Sequence, residues 1–191
     1  CLAKLKYSNA MTKYINFLIF SFSLILSQSY KVQPTIVDIN GLIFKENDEL
    51  PYTGKITVFW SNNLLKEEGI YREGVKSGLW KYWYESGKLF SKGIFRNGLK
   101  TGVWIEWHEN GNKKTQSIYR NGLKNGREIN WSLEEVKLSE FSFQSGSKDG
   151  SFKKWFSSGN KKSAGNFVKG KENGKFLEWY DNGKKYIEQE Y

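Results

Sequence analysis

The sequence predicts an all-β protein: an elongated, single-sheet antiparallel β-meander built from six β-hairpin repeats of 24 residues. Three observations carry this expectation. Glycine recurs in steps of 24 at Gly54, Gly78, Gly102, Gly126, Gly150 and Gly174. An aromatic follows each glycine at the fifth position, giving Phe59, Trp83, Trp107, Trp131, Trp155 and Trp179. Between glycine-bearing turns lie runs of about seven to nine residues rich in Trp, Tyr, Phe and Ile, which suit strands.

Along the chain, residues 1–10 read as sequence upstream of the start, since Met11 is the first and only methionine. Residues 11–29 read as a signal peptide: Lys13 supplies a positive start, Tyr14 to Ser27 is apolar, and Ser27 and Ser29 precede a cut before Tyr30. The apolar run falls short of the roughly 18 residues expected of a spanning helix. Residues 30–53 form an N-terminal capping segment, with "GLIFKENDELPYTG" as a half-repeat expected to cover the first edge. The six repeats occupy 54–191 and start at 54, 78, 102, 126, 150 and 174.

Each repeat holds two turns, for example "ESG" and "RNGLKTG" in residues 78–101. Each repeat is therefore one hairpin, and twelve strands at about 4.8 Å would make a sheet about 55 Å long. Centring the turns on those motifs sets Trp80 opposite Gly93, and Gly93 opposite Trp104 on its other side. A large ring then covers bare backbone, a device that supports a sheet lacking helices to pack on. The same face carries Tyr84, Phe95, His108 and Tyr119, and the opposite face carries Trp83, Trp107, Trp131, Trp155 and Trp179. Repeat 126–149 departs from the rest. Glu128 replaces an aromatic, Phe141 replaces a strand glycine and Glu135 replaces a turn glycine. The sheet is expected to run through it, with a bend or weak point and a poorly formed turn at "WSLEEVKL".

From Tyr30 onward there is no cysteine, which excludes disulfides and thiol chemistry there. Lys4, Lys6 and Lys13 precede Tyr30 and no acid does, leaving 27 basic and 20 acidic residues, or +7. The charge is spread through the repeats, which suits solubility and anionic surfaces more than nucleic acid. His108, the only histidine, is one member of a 24-residue column of Trp60, Tyr84, His108, Ser132, Phe156 and Tyr180. It lacks the neighbours that a general base needs. Within this column, Trp60, Tyr84, His108, Phe156 and Tyr180 are the candidate partner-binding residues, because variation inside a repeat array suits a ligand-facing position. No catalytic residue, metal ligand or cofactor is expected, since no phosphate loop, metal cluster or nucleophile motif is present.

These residues resemble the bacterial variant of the MORN repeat (membrane occupation and recognition nexus), with the pattern G-x-W-x-x-Y/W-x-x-N-G followed by G-x-Y/F-x-N-G-K-x-x-G. Gly78, Trp80, Trp83, Gly87, Gly93, Phe95, Gly98 and Gly102 carry it, and Gly102, Trp104, Trp107, Gly111, Tyr119, Gly122 and Gly126 repeat it. The resemblance runs from Pro51 to Tyr191 and implies an elongated antiparallel sheet with a shallow groove. Its common YwqK-type antitoxin label implies neutralising a toxin by binding it. Together the readings lead to an exported, non-enzymatic scaffold in the periplasm, envelope or medium. Its aromatic and glycine-rich face would bind another protein or an extended polypeptide. An envelope glycan or an anionic lipid surface are the alternative partners, and nucleic acid is not one.

Overall fold

The computed structural model describes residues 36–191. The upstream extension, the apolar segment 11–29 and the first part of the capping segment lie outside the described residues. All regular structure among the described residues is β. A two-stranded sheet pairs β1 (Ile36–Ile39) with β2 (Leu42–Lys45). A twelve-stranded sheet then runs through β3 (Gly54–Phe59), β4 (Leu65–Arg72), β5 (Val75–Trp83), β6 (Leu89–Arg96), β7 (Leu99–Trp107) and β8 (Lys113–Arg120). It continues through β9 (Leu123–Trp131), β10 (Lys137–Gln144), β11 (Ser147–Trp155), β12 (Lys161–Val168), β13 (Lys171–Trp179) and β14 (Lys185–Glu190). Every strand in it pairs antiparallel with its sequence neighbour, so the chain is the expected open meander of hairpins.

Two turn types alternate. Arg96 pairs with Leu99 around Asn97 and Gly98, whose φ values are 50° and 75°. That is the two-residue hairpin turn whose twist matches the flanking strands, and "NG" is the sequence that favours it. The second turn is a three-residue loop. The Tyr84 N–H donates to the Lys88 carbonyl at 2.8 Å, and the Gly87 N–H donates to the Tyr84 carbonyl at 2.9 Å. Its left-handed position is held by Asn63, Gly87, Gly111, Glu135, Gly159 and Gly183 in turn. Glu135 takes φ 63°, and its N–H still reaches the Ser132 carbonyl at 3.2 Å. This turn keeps its shape because Ser132 Oγ accepts from the Glu134 and Val136 N–H groups at 3.1 and 3.3 Å.

Trp80 pairs with Gly93 as expected. On the other side of Gly93 the simple register fails: Lys92 pairs with Ile105, but Ile94 pairs with Thr101. Gly93 therefore confronts residues 102–104, a bulge centred on Gly102 at φ 67°. Gly78, Gly126, Gly150 and Gly174 also take positive φ. The first glycine column thus supplies a left-handed residue that a side chain would resist. The bulge does not displace the rings. A Cβ on Gly93 would fall inside the Trp104 ring, and one on Gly69 inside the Trp80 ring. Each indole N–H donates past the glycine, Trp80 to the Ile70 carbonyl and Trp104 to the Ile94 carbonyl, both at 3.2 Å.

The core is thus a row of rings on one face of the sheet. Trp80 is fully buried, and Ile56, Tyr71, Trp104, Phe141 and Phe152 are buried too. Ring contacts link Tyr71, Trp80, Phe95, Trp104 and Tyr119 at centroid distances from 5.0 to 6.4 Å. A second run links Phe141, Phe152, Phe176 and Tyr191. Among the described residues no ring contact joins the two runs. Between them Ser117 Oγ donates to Glu128 Oε2 at 2.8 Å, and Lys124 forms an ion pair with the same carboxylate. The N-terminal segment forms no strand beside β3. Instead the Ile43 N–H donates to the Gly74 carbonyl at 3.0 Å, and Ile36, Ile43 and Tyr52 pack on Ile56, Tyr71 and Trp80. It covers the start of the ring row.

Candidate binding surface

The five candidate partner-binding residues sit at the last position before each three-residue loop, on the ring-row face. Three of them have a structural bond to the following repeat. The Trp60 Nε1–H donates to the Trp83 carbonyl at 3.2 Å, Tyr84 Oη–H to the Trp107 carbonyl at 2.7 Å, and His108 Nε2–H to the Trp131 carbonyl at 3.1 Å. The ring reaches 23 residues forward each time. His108 therefore acts as a ring with a donor at its tip, in the tautomer its carbonyl partner requires. Phe156 has no such donor, and Tyr180 is 55% exposed and packs on Tyr186 at 4.4 Å. The signal in the sequence was the donor at the tip of Trp, Tyr and His, a feature that aromatic character alone conceals.

The ring-row face offers little free ring surface. Besides the burial of Trp80 and Trp104, lysines lie over the rings: Lys76 is 3.8 Å from the Trp80 centroid and Lys100 is 4.1 Å from that of Trp104. Burial holds both ammonium groups below the ordinary lysine range. It also pushes the Tyr71 phenol up to about 12. On the opposite face the tryptophan column is half-buried, with Lys92 over Trp107, Lys113 over Trp131, Lys137 over Trp155 and Lys161 over Trp179. The expectation of a gripping aromatic face therefore meets rings already covered by the protein itself.

Free apolar surface lies elsewhere on that opposite face. Ile70, Leu79, Ile94 and Val103 are 42 to 51% exposed on the consecutive strands β4 to β7. Leu79 pairs directly with Ile94, and Val103 pairs with the half-buried Ile118 of β8. Two residues along alternate strands stand Arg72, Arg96 and Arg120, all exposed. Side chains two apart share a face, so the arginines flank the aliphatic row. In the second half of the sheet the corresponding positions are Arg127, Ser142, Ser151 and Asn166 for the row, and Gln144 and Val168 for the arginines. The sequence reading missed this strip. Its columns hold for only three repeats, so they stand out less than columns filled in six.

This surface offers aliphatic side chains and exposed guanidinium groups. Among the described residues no group of three or more His, Cys, Asp or Glu side chains is arranged to hold a metal ion. The family model for the MORN repeat variant matches residues 76–97, 100–121 and 172–191. Those segments are MORN-type repeats. Their starts differ by whole multiples of 24, so the matches share the phase of the glycine and aromatic columns. MORN-type repeats mediate binding to proteins or membranes. The unmatched stretch 122–171 contains the polar break at Glu128 and the Phe141–Phe152 pair. No curated protein matches the chain.

Proposed function

We propose that this chain is an exported, non-enzymatic scaffold of the bacterial MORN-variant class, which binds another protein through the face opposite its ring row. The observation that carries the reading is the exposed aliphatic row of Ile70, Leu79, Ile94 and Val103 on a sheet whose Trp80 and Trp104 rings are covered. Contiguous apolar groups left exposed on a self-packed sheet mark an interaction surface. The YwqK-type antitoxin role is one form this binding would take, with a toxin as partner. The apolar segment 11–29 supports export.

The test is a photo-reactive residue placed at Val103 and, separately, at Ser151, with cross-linking in the secreting cell. A protein adduct of one defined mass at 103 and none at 151 is the expected result. Absence of any protein adduct at either position, with the protein folded, rejects the scaffold reading. Export is checked by sequencing the N-terminus of the exported protein, which should begin at Tyr30. An intact 11–29 segment in the soluble exported form would reject cleavage.

A further inference from the structure

The geometry of the strip points to its occupant. We infer that the row formed by Ile70, Leu79, Ile94, Val103 and Ile118, with Arg72, Arg96 and Arg120 beside it, docks an acidic amphipathic α-helix of the partner. The inference rests on the protein-binding reading above and names the class of partner.

The spacing of the row suits a helix. The row crosses strands about 4.8 Å apart, one rung per strand. Leu79–Ile94 and Val103–Ile118 are direct pairs, while at the bulges Ile70 pairs with Ser77 and Ile94 with Thr101, so the row steps along the strands there. An α-helix repeats every 5.4 Å, and its apolar residues at i, i+4, i+7 and i+11 present about one side chain per turn. A helix lying across the strands therefore places about one apolar side chain per rung. Five rungs span about 19 Å, which a helix of about 13 residues covers at 1.5 Å per residue. The arginines occur on every second strand, about 9.6 Å apart. Acidic residues seven apart on the helix are about 10.5 Å apart, close to that spacing.

The charge beside the row suits an acidic one. Arg72, Arg96 and Arg120 are exposed, and none forms an ion pair with an acid among the described residues. On the other flank Glu68 is already engaged by Lys55 at 3.0 Å and Lys81 at 3.2 Å. The strip thus has uncompensated arginines, alternating with exposed Leu99 and Leu123, on one flank, and on the other the paired Glu68 and Lys81 followed by Lys92, Ile105 and Gln116. A helix with an apolar stripe and acids along one margin complements this asymmetry. The strip also ends within the sheet. At the next position on β9 stands Arg127, whose guanidinium pairs with Glu140 at 3.4 Å, and Ser142 follows on β10.

The probe is a 14-residue amphipathic peptide with leucine at i, i+4, i+7 and i+11 and glutamates seven apart on one margin. It is titrated into the purified full chain by calorimetry, with circular dichroism reporting helix formation. Saturable binding with a gain of helix is expected. Ile94→Asp and Arg96→Glu should each weaken it tenfold or more, whereas Ser142→Asp and Gln144→Glu should change it less than twofold. A peptide with lysine in place of glutamate should bind the natural chain at least tenfold more weakly, and better to the Arg96→Glu/Arg120→Glu variant. Acidic and basic peptides binding alike, or Ser142→Asp weakening binding as much as Ile94→Asp, would overturn the inference. So would retention on vesicles of phosphatidylcholine with phosphatidylglycerol that Arg96→Glu abolishes, in the absence of peptide binding; that result assigns the strip to lipid. A protein adduct at Val103 together with no peptide binding refutes the helix and leaves the scaffold standing. No adduct anywhere refutes the scaffold itself.

Discussion

Strands β5–β8 and β9–β12 form one unbroken ladder, yet they fill it with different chemistry. In the first region a tryptophan covers a glycine, Trp80 over Gly69 and Trp104 over Gly93. In the second the same cross-strand site holds Phe141 against Phe152, two rings nearly parallel at 5.6 Å. Between them Ser117 and Glu128 fill the site with a hydrogen bond. The comparison teaches that the sheet tolerates any pair whose two members together fill the site: large over none, medium on medium, or polar on polar. The consequence on the opposite face differs. The first region keeps an aliphatic row with arginines, and the second replaces it with Ser, Asn and paired charge.

The comparison breaks most severely at the rings. Trp80→Ala removes a fully buried ring and its hydrogen bond to Ile70, and should cost about 4 kcal/mol in urea denaturation. Phe152→Ala, which lacks such a bond, should cost about 3 kcal/mol. A smaller split is expected at the glycines. Gly93→Ala forces a methyl into the Trp104 ring and should cost about 2–3 kcal/mol. Gly165→Ala meets Phe152 Cε1 at 3.0 Å, which a small ring movement relieves, and the Lys175 backbone carbonyl at 3.2 Å, which must give by a few tenths of an ångström, so about 1 kcal/mol is expected. Equal losses at the two glycines would show that the indole cover is not what distinguishes the regions.

The loop column provides a finer probe. Tyr84→Phe keeps the ring and deletes the bond to the Trp107 carbonyl, at a cost of about 1 kcal/mol. His108→Ala should stay within about 1 kcal/mol with its fold and any binding retained. Total loss of binding in a folded His108→Ala protein would give that ring a role beyond its bond to Trp131. The smallest effect is a gain. Glu135 sits at φ 63° without the freedom of glycine, so Glu135→Gly should stabilise the chain by about 0.5–1 kcal/mol. Hydrogen exchange should open residues 131–138 before 83–90 in the natural sequence, and the substitution should slow that opening. Equal or stronger protection at 131–138 in the natural chain would show that Ser132 fully compensates for the missing glycine.

Much of this fold was legible because its turns are. A glycine second in each two-residue turn, and a glycine or asparagine at five of the six left-handed loop positions, fix the hairpins, and a fixed period of 24 fixes their order. The pairing of Trp80 with Gly93 followed from the turn centres alone. The bulges at Gly78 and Gly102 did not, because a left-handed residue in a strand leaves the in-out alternation almost unchanged when counted from the sequence. The surface was harder still. The aromatic residues drew attention as contact groups, but in a sheet without helices they must pack on one another. The aliphatic row remains exposed, and its Ile94 and Val103 look ordinary within any single strand. Their meaning lies in cross-strand adjacency, which only the register supplies.

The claim that each cross-strand site needs one filled volume, divided freely between its partners, is tested most directly by a double-mutant cycle at Phe141 and Phe152. Phe141→Gly alone should cost about 3 kcal/mol through the cavity it leaves. Phe152→Trp alone should cost about 1–3 kcal/mol through overpacking. The double variant recreates the Gly93–Trp104 arrangement, with an indole N–H free to reach the Ser142 carbonyl, and should lie within about 1 kcal/mol of the natural chain in urea denaturation. Losses that simply add would contradict the account, because they would mean that the two regions are held by different rules rather than by one.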